Sequence, residues 1–267
     1  VGAALRSGAV ILLGGALALA AANKIGGENI LLTNHNIEKA NALSETTGAK
    51  IGSNIEIANS CKFIFLGVKP KTMAAALEEI KPVLQKRTDR FVLVSMAAAL
   101  PAAHISELSG GFPVLRIMPN TPCAVGEGII LYCPSESVSD SETAEFCSMM
   151  ELSGMVDAVD EALIDAASAI SGCGPAFVYM FIEALSDGGV LCGLPRAKAL
   201  AYAAQTVSGA AKTVLASGKH PGLLKDEVTS PGGTTIEGVR ALEEKGFRAA
   251  AMNSVIAAYE KTISMKK

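Results

Sequence analysis

The sequence predicts an α/β domain with a mostly parallel sheet, followed by a domain that consists of helices alone. Up to about residue 158, short apolar runs alternate with stretches of helical periodicity, an order that is typical of a parallel sheet covered by helices. From about Glu161 the strand pattern is absent, and long runs rich in Ala and Leu follow. A chain of 267 residues can form two ordinary domains, and we place them at residues 1–158 and 159–267.

Six apolar runs in the first domain are predicted to form strands. Several of them are apolar throughout, as expected where both faces of a sheet are covered. The runs are residues 9–13, 29–33, 63–68, 91–95, 114–118 and 128–132. Helical periodicity between and after them predicts helices at residues 15–25, 37–46, 72–85 and 141–152, whereas residues 1–7 have no convincing strand pattern.

The second domain is predicted to contain six helices, at residues 161–170, 174–192, 195–217, 223–228, 234–245 and 246–265. Pro195 suits the first turn of its helix, and Gly193 suits the end of the helix before it. Ala, Gly and Ser recur along residues 176–189 and 197–211, where they allow close packing. So much apolar surface in about a hundred residues is hard to bury within one subunit. The sequence therefore predicts a homodimer through these helices.

The composition limits the possible partners and sites. A formal net charge of −3 argues against a nucleic-acid or anionic-membrane partner. The six cysteines form no Cys-x-x-Cys pairs, which fits reduced thiols in a cytoplasmic protein, and the three histidines do not cluster with other ligands, so we expect no metal. Arg6 and the apolar residues after it imitate a secretory signal, but the run is too short and too rich in glycine for a membrane span. We interpret this segment as a buried strand and helix.

One stretch of the second domain combines a tight backbone corner with a helix start. The sequence Ser-Pro-Gly-Gly-Thr-Thr at residues 230–235 is followed by apolar residues at helical spacing, Ile236, Val239 and Leu242. Glycine lets a backbone approach a ligand, and the free N–H groups of a helix start bind anions. Such a corner could hold a small carboxylate and leave a threonine hydroxyl for the reacting group. A plain helix start with threonine as its cap is the alternative.

Three predicted strands end in small or turn-forming residues. The sequences are Leu-Gly-Val-Lys-Pro at residues 66–70, Val-Ser-Met-Ala-Ala-Ala-Leu at 94–100, and Arg-Ile-Met-Pro-Asn-Thr-Pro at 116–122. The carboxyl ends of parallel strands are where an open sheet binds its ligand. With Ile-Ser-Gly-Cys-Gly-Pro-Ala at 170–176 and Val-Thr-Ser-Pro-Gly-Gly-Thr-Thr at 228–235, the sequence closely resembles the pyrroline-5-carboxylate reductase family from about residue 28 onward.

This resemblance implies an α/β Rossmann-type N-terminal domain and an all-α C-terminal dimerisation domain. It implies an oxidoreductase that uses NADPH, or NADH, to make L-proline from L-1-pyrroline-5-carboxylate, the last step of proline biosynthesis, and dimers assembled into a larger ring such as a decamer. The implied cofactor-binding residues are Asn34, Asn54, Gly67, Val68, Lys69, Pro70, Ala97 and Ala98. The implied substrate-binding residues are Pro119, Asn120, Thr121, Ser230, Gly232, Gly233, Thr234 and Thr235.

The implied chemistry needs little acid–base machinery. An iminium accepts hydride readily, so the protein mainly has to align donor and acceptor. Thr235 is the candidate catalytic residue, because its hydroxyl would hydrogen-bond the ring nitrogen, while N–H groups of residues 232–234 would hold the carboxylate. Other residues also have purely structural interpretations: Lys69 as an exposed turn residue, Cys173 as a small packed residue, and Glu161 with Asp165 as a solvated helix edge.

The N-terminus departs from the family's pattern of a strand, a glycine-rich turn and a helix. Counting back from Asn34 puts the third glycine of the turn near Gly14 or Gly15, and the first two near Ala9 and Ile11. The bulky side chains of Ile11 and Leu12 would keep the cofactor's pyrophosphate away from the backbone. Either the chain binds the cofactor weakly, or its first 27 residues differ from the encoded ones, which is the interpretation we favour.

Two other functions are open. A β-hydroxyacid dehydrogenase would use a catalytic lysine in the helical domain, but Lys198, Lys212, Lys219 and Lys225 do not lie in a Gly-x-x-x-Asn-x-x-x-Lys pattern. A non-catalytic nucleotide-binding or scaffolding oligomer would tolerate the altered glycine turn. Residues 33–36, Thr-Asn-His-Asn, contain neither the acidic residue that selects NADH nor an arginine, so NADPH is favoured without being selected.

Overall fold

The structure is a computed structural model that describes residues 3–5, 13–34 and 36–266. It divides into two units, one formed by Val1–Cys173 with Ala258–Lys267 and the other by Gly174–Ala257. The first unit contains all the described strands, and the second is helical. An α/β part followed by a helical part is thereby confirmed, while the domain limits at residues 158 and 159 stay a prediction.

The first unit alternates strands and helices along the chain. Its described strands are β1 (Ala3–Leu5), β2 (Ile30–Leu32), β3 (Lys50–Ile51), β4 (Phe63–Leu66), β5 (Val92–Ser95), β6 (Val114–Pro119), β7 (Gly128–Pro134) and β8 (Gly154–Ala158). Its described helices are α1 (Leu13–Ile25), α2 (Ile37–Thr47), α3 (Asn54–Ser60), α4 (Met73–Leu84), α5 (Ala102–Ser109), α6 (Asp140–Met150) and α7 (Ile164–Ser171).

These strands form one sheet in the order β3-β2-β1-β4-β5-β6-β7-β8. The pairs β2–β3, β4–β5, β5–β6 and β7–β8 are parallel, whereas β1 is antiparallel to both its neighbours and β7 is antiparallel to β6. The strands β2 to β6 therefore share one direction. The order of the first six strands is that of a doubly wound nucleotide-binding sheet, which binds ligands beyond the carboxyl ends of its strands. The predicted Rossmann-type sheet is confirmed.

Most of the predicted strands are confirmed, by β2, β4, β5, β6 and β7. Of the predicted strand at residues 9–13, residues 9–12 lie outside the described residues, and Leu13 begins α1. The expectation of no strand in residues 1–7 is wrong, because Ala3–Leu5 forms β1. The elements β3, β8, α3 and α5 have no counterpart in the prediction.

The core lies on both faces of the central strands. Every residue of β4 and β5 is buried, as the continuous apolar runs indicate. Leu17 of α1 and Leu77 of α4 are both fully buried in the same apolar cluster. Complete burial of such a side chain stabilises the fold by about 1.5–3 kcal/mol. These helices cover the central strands, whose carboxyl ends lie at one edge of the sheet.

The second unit contains α8 (Gly174–Leu191), α9 (Arg196–Ser217), α10 (Pro221–Glu227) and α11 (Thr234–Glu244), and α12 (Phe247–Ser264) begins in it. With α7, these confirm all six predicted helices to within three residues at each end. The helix α8 leaves large apolar side chains exposed, among them Tyr179, Met180 and Leu191, whereas Ser186 is its buried residue. The stretch Ile164–Leu191, which comprises α7 and α8, has the length and composition of a membrane span, with an 18-residue window of mean hydropathy 1.3. One such stretch is weak evidence for a membrane.

Candidate active site

Four parallel strands bring most of the predicted cofactor residues, and three predicted substrate residues, to one edge of the sheet. Because β2, β4, β5 and β6 run in the same direction, their carboxyl ends meet at that edge. Asn34 follows β2, and Gly67, Val68, Lys69 and Pro70 follow β4. Ala97 and Ala98 follow β5, and Pro119, Asn120 and Thr121 stand at the end of β6. The fold therefore brings together segments that the sequence separates by up to about ninety residues, as expected of a doubly wound sheet.

The end of β2 is shaped by asparagine side chains. The Oδ1 atom of Asn34 accepts a hydrogen bond from the N–H of Asn36 at 2.9 Å. Asn36 caps α2, where its own Oδ1 accepts from the N–H of Lys39 at 3.1 Å. Asn54 begins α3, and its Nδ2 donates to Oε2 of Glu79 at 2.9 Å. Contact of Asn34 and Asn54 with a cofactor stays a prediction.

The end of β4 turns sharply into α4. The carbonyl of Lys69 accepts hydrogen bonds from the N–H and the hydroxyl of Thr72, both at 2.9 Å. Pro70 begins the short 3-10 turn between them. The side chain of Lys69 is exposed, which agrees with its interpretation as a turn residue. Its proposed place along the cofactor stays a prediction.

The end of β5 contains a strained residue that the sequence did not reveal. Ala99 has a φ of +63°, and among the described residues other than glycine it is alone in having positive φ. The left-handed conformation costs an L-residue about 1–2 kcal/mol, and such strain collects at functional sites. Ala97, two residues before it, is 2% exposed and leaves little room for a larger side chain. No local sequence signal distinguishes Ala99 from its alanine neighbours.

Asn120, at the end of β6, has a side-chain amide that forms hydrogen bonds within the protein through both its nitrogen and its oxygen. Its Nδ2 donates to the carbonyl of Ser171 at 2.9 Å, and its Oδ1 accepts from the N–H of Ile129 at 2.9 Å. The residue is 6% exposed. Burial, as the largest cause, raises the pKa of the neighbouring Cys123 thiol, which donates to the same Oδ1 at 3.7 Å and is therefore neutral. Thr121, next in sequence, is exposed.

A buried ion cluster supports β6 four residues before Asn120. Arg116 is 0% exposed, and its Nη2 and Nη1 lie 2.8 Å from Asp165 Oδ1 and 3.3 Å from Glu161 Oε1. Lys266 lies 2.5 Å from the other Asp165 oxygen, and Glu161 also accepts from the N–H of Ala102 at 2.8 Å. The interpretation of Asp165 as a solvated edge is wrong, because its side chain is 2% exposed. Arg116 lies in an apolar run, so the sequence did not single it out.

The corner before α11 belongs to the second unit. Gly232 has a φ of +67°, and the N–H of Gly233 closes the turn on the carbonyl of Ser230 at 3.0 Å. Gly233 is the N-cap of α11, and no side chain caps this helix start. The alternative of threonine as the cap is therefore wrong: Thr234 and Thr235 are the first two helical residues, and both are exposed. The free N–H groups and the two hydroxyls form a ready anion-binding site.

Metal and thiol chemistry have little support in the described part of the chain. Across these residues, no group of three or more His, Cys, Asp and Glu side chains could hold a metal ion. Cys123, Cys133, Cys147, Cys173 and Cys192 are free thiols, and Cys173 is half-buried.

Comparisons with known proteins agree with this arrangement. Residues 161–265 match the family model for pyrroline-5-carboxylate reductase dimerisation, and residues 11–99 match the model for NADP oxidoreductase, coenzyme F420-dependent. The pyrroline-5-carboxylate reductase of Arabidopsis thaliana is 42% identical over 219 residues, which cover 82% of this chain and 78% of the plant protein. That of Escherichia coli (strain K12) is 40% identical over 232 residues, which cover 86% and 85%. The chain belongs to the pyrroline-5-carboxylate reductase family.

Solved structures of the family share the whole fold. The Plasmodium falciparum pyrroline carboxylate reductase with NADP bound superposes with a TM-score of 0.85 at 34% identity, covering 98% of each chain. The pyrroline-5-carboxylate reductase from Coxiella burnetii gives 0.86 at 28% identity, covering 97% of this chain and 98% of its own. As a member of this family the chain is an NAD(P)-dependent oxidoreductase, which excludes a non-catalytic scaffold as its function.

The helical region is the dimerisation domain of this family. The chain therefore forms a homo-oligomer. As a member of this enzyme family, it acts on a small molecule. The exposed apolar side chains of α8 agree with burial against another subunit, since large apolar patches on a soluble protein mark interaction surfaces.

Proposed function

We propose that this chain reduces L-1-pyrroline-5-carboxylate to L-proline with NADPH, or NADH, as the last step of proline biosynthesis. The observation that carries the proposal is the start of α11, where uncapped N–H groups stand beside the hydroxyls of Thr234 and Thr235. A small carboxylate next to a ring nitrogen matches this set of donors. Family membership supports the same activity.

The strand ends of the first unit fit a dinucleotide. They lie where a doubly wound sheet binds such ligands, and small residues let the backbone approach them. The residues that would hold the cofactor are Asn34, Asn54, Gly67, Val68, Lys69, Pro70, Ala97 and Ala98. When bound, the nicotinamide supplies the hydride for the imine carbon.

The substrate is held mainly by the backbone of the corner. Ser230, Gly232, Gly233 and Thr234 bind its carboxylate at the positive end of α11. The Thr235 hydroxyl hydrogen-bonds the ring nitrogen and relays the proton that this nitrogen keeps in proline. Pro119, Asn120 and Thr121 border the junction of substrate and cofactor. No strongly basic or acidic side chain is needed, because the iminium is already an electrophile.

Kinetics of threonine variants test this assignment. Thr235→Ala is expected to lower kcat/KM at least about tenfold through the lost hydrogen bond, while Thr235→Ser keeps most of the activity. Thr46→Ala, which removes an exposed α2 hydroxyl that donates to the carbonyl of Ala42, is the control and should match the unsubstituted chain. Unchanged kinetics in folded Thr235→Ala would refute the role of this hydroxyl.

Titration with NADPH tests the reaction itself. The absorbance of NADPH should fall when pyrroline-5-carboxylate is added to the purified chain. Binding of NADPH without its oxidation would point to another substrate, such as the β-hydroxyacid of a related reductase. Absence of NADPH binding would contradict the cofactor assignment.

The proposed assembly is a homodimer through the C-terminal helices, built into a larger ring such as a decamer, and the proposed location is the cytoplasm. The exposed apolar surface of α8 supports the dimer. The scattered cysteines of the sequence, which form no Cys-x-x-Cys pairs, support a reducing compartment. Light scattering after gel filtration separates the sizes: a chain of 27.4 kDa gives about 55 kDa as a dimer and about 274 kDa as a decamer. A monodisperse dimer would contradict the ring.

A further inference from the structure

The segment Ser-Gly-Cys-Gly-Pro at residues 171–175 has no role in the function proposed above, yet its first residue contacts the candidate site. The carbonyl of Ser171, at the end of α7, accepts the hydrogen bond from Nδ2 of Asn120 at 2.9 Å. A helix end has carbonyl groups without helical partners, and Asn120 supplies a donor for one of them. The link joins α7 to the end of β6.

The oxygen of the same amide forms a hydrogen bond with the start of β7. Oδ1 of Asn120 accepts from the N–H of Ile129 at 2.9 Å, and the backbone N–H of Asn120 donates to the carbonyl of Ile129 at 3.2 Å. The side chain of Asn120 therefore uses Nδ2 as a donor towards the end of α7 and Oδ1 as an acceptor towards the start of β7. Among natural side chains of this length, only an asparagine amide, or a protonated aspartic acid, offers both.

We propose that Asn120 is a positioning residue, whose buried side chain fixes the loop that presents Pro119 and Thr121 rather than contacting the substrate. This inference rests on the proposed function. It replaces a role for Asn120 beside the substrate with a role in positioning the loop. The 3-10 turn Thr121–Val125 begins at Asn120, and the N–H of Cys123 donates to the carbonyl of Asn120 at 3.3 Å. With the amide anchored to α7 and β7, the exposed Thr121 is held in one place.

Replacing Asn120 by aspartate distinguishes the proposed positioning role from direct contact with the substrate. The ionised carboxylate still accepts from Ile129, but it has no donor for the Ser171 carbonyl and faces that oxygen at about the distance of a hydrogen bond. Protonation restores the donor, and burial together with the facing carbonyl raises the pKa of the introduced acid. The titratable group that contacts this amide is Cys123, a neutral thiol. The defect of Asn120→Asp should therefore fade as the pH falls.

The test compares Asn120→Asp with Asn41→Asp, which places the same charge on an exposed position of α2. At pH 8 we expect Asn120→Asp to lower kcat about tenfold or more with less than a twofold change in Kd for NADPH, because the loss of a buried hydrogen-bond pair displaces the loop. The ratio of its kcat to that of the unsubstituted chain should rise as the pH falls to 5.5. Asn41→Asp should show a flat ratio near one.

Hydrogen exchange gives a readout that does not depend on turnover. The backbone amide of Cys123, which donates to the carbonyl of residue 120, should exchange faster in Asn120→Asp at pH 8 because the turn is displaced. This would hold even if the unsubstituted chain failed to reduce pyrroline-5-carboxylate, so the two proposals fail separately. If Asn120→Asp does not fold, Asn120→Ala takes its place, with a pH-independent loss of kcat and the same faster exchange. A raised KM for the substrate with unchanged kcat and unchanged exchange would show direct contact and overturn the proposal, as would kinetics equal to the unsubstituted chain.

Discussion

Replacing Arg116 by methionine should destabilise the protein strongly. Arg116 is 0% exposed, and its removal leaves Asp165, 2% exposed at its side chain, with Lys266 as its remaining cation. Removing one partner of a buried ion pair costs about 3–5 kcal/mol, because the other charge stays buried. Lys266 compensates part of the loss, so we expect the lower end, about 3 kcal/mol. For a chain of this size that corresponds to a fall in Tm of about 6–12 °C.

Thermal unfolding at one fixed protein concentration measures this loss, since the stability of an oligomer depends on concentration. Arg240→Met is the matched control: Arg240 also pairs with two carboxylates, Glu237 and Glu244, but on an exposed face of α11. Exposed helical pairs contribute only about 0.3–0.5 kcal/mol each. The double variant Arg116→Met with Asp165→Leu should regain part of the lost Tm, because no buried charge then lacks its partner. Equal Tm values for Arg116→Met and Arg240→Met would refute the reasoning.

Two further predictions concern α6 and the corner. The Arg90 guanidinium lowers the pKa of Glu142 to about 2, so Glu142 stabilises the fold above its unfolded pKa near 4.5 and loses this effect as the pH falls towards 2. Glu142→Gln should lower the free energy of unfolding by about 2 kcal/mol at pH 7, less than the full shift because Arg90 is half-exposed, and urea titrations should show the difference shrinking only below pH 4.5. Gly232→Ala should lower kcat/KM severalfold, because a φ of +67° strains alanine. Gly238→Ala, in open space inside α11, should keep the kinetics and raise stability by about 0.5–1 kcal/mol; equal kinetics of the two variants would contradict the role of the corner.

The central strands could be predicted because burial on both faces leaves a continuous apolar run, as in β4 and β5. The strand β3 is two residues long and exposed, and β8 is half-exposed, so neither has such a run. The helix α3 did have a local signal that was missed: Ser53 and Glu56 form a capping box at its start. The strands β3 and β8, by contrast, are stabilised by their neighbours in space more than by their own sequence.

The candidate site residues likewise divide into those that the sequence could predict and those that it could not. The corner at residues 230–235 is contiguous, so its glycines and hydroxyls could be predicted to act together. The amide of Asn120 reaches a residue 51 positions further along the chain, and Arg116 reaches one 49 positions away. No periodicity or spacing connects such partners, and an arginine inside an apolar run looks like any polar residue of a strand. These contacts follow from the fold and become visible only with it.

The proposed site consists mainly of main-chain donors and small residues. For this reason the sequence offers few reactive side chains from which the reaction could be predicted. A Cβ at Gly233 would force the hydroxyl of Ser230 to rotate away and would lie 3.1 Å from the carbonyl of Ser230, and Gly232 needs positive φ. The Thr235 hydroxyl is the one side-chain group to which we assign a part in the reaction. It follows that adding a methyl group at Gly232 or Gly233 should damage catalysis more than removing the exposed charge of Lys69. The reverse order of effects would mean that side-chain charge, and not backbone geometry, holds the ligands.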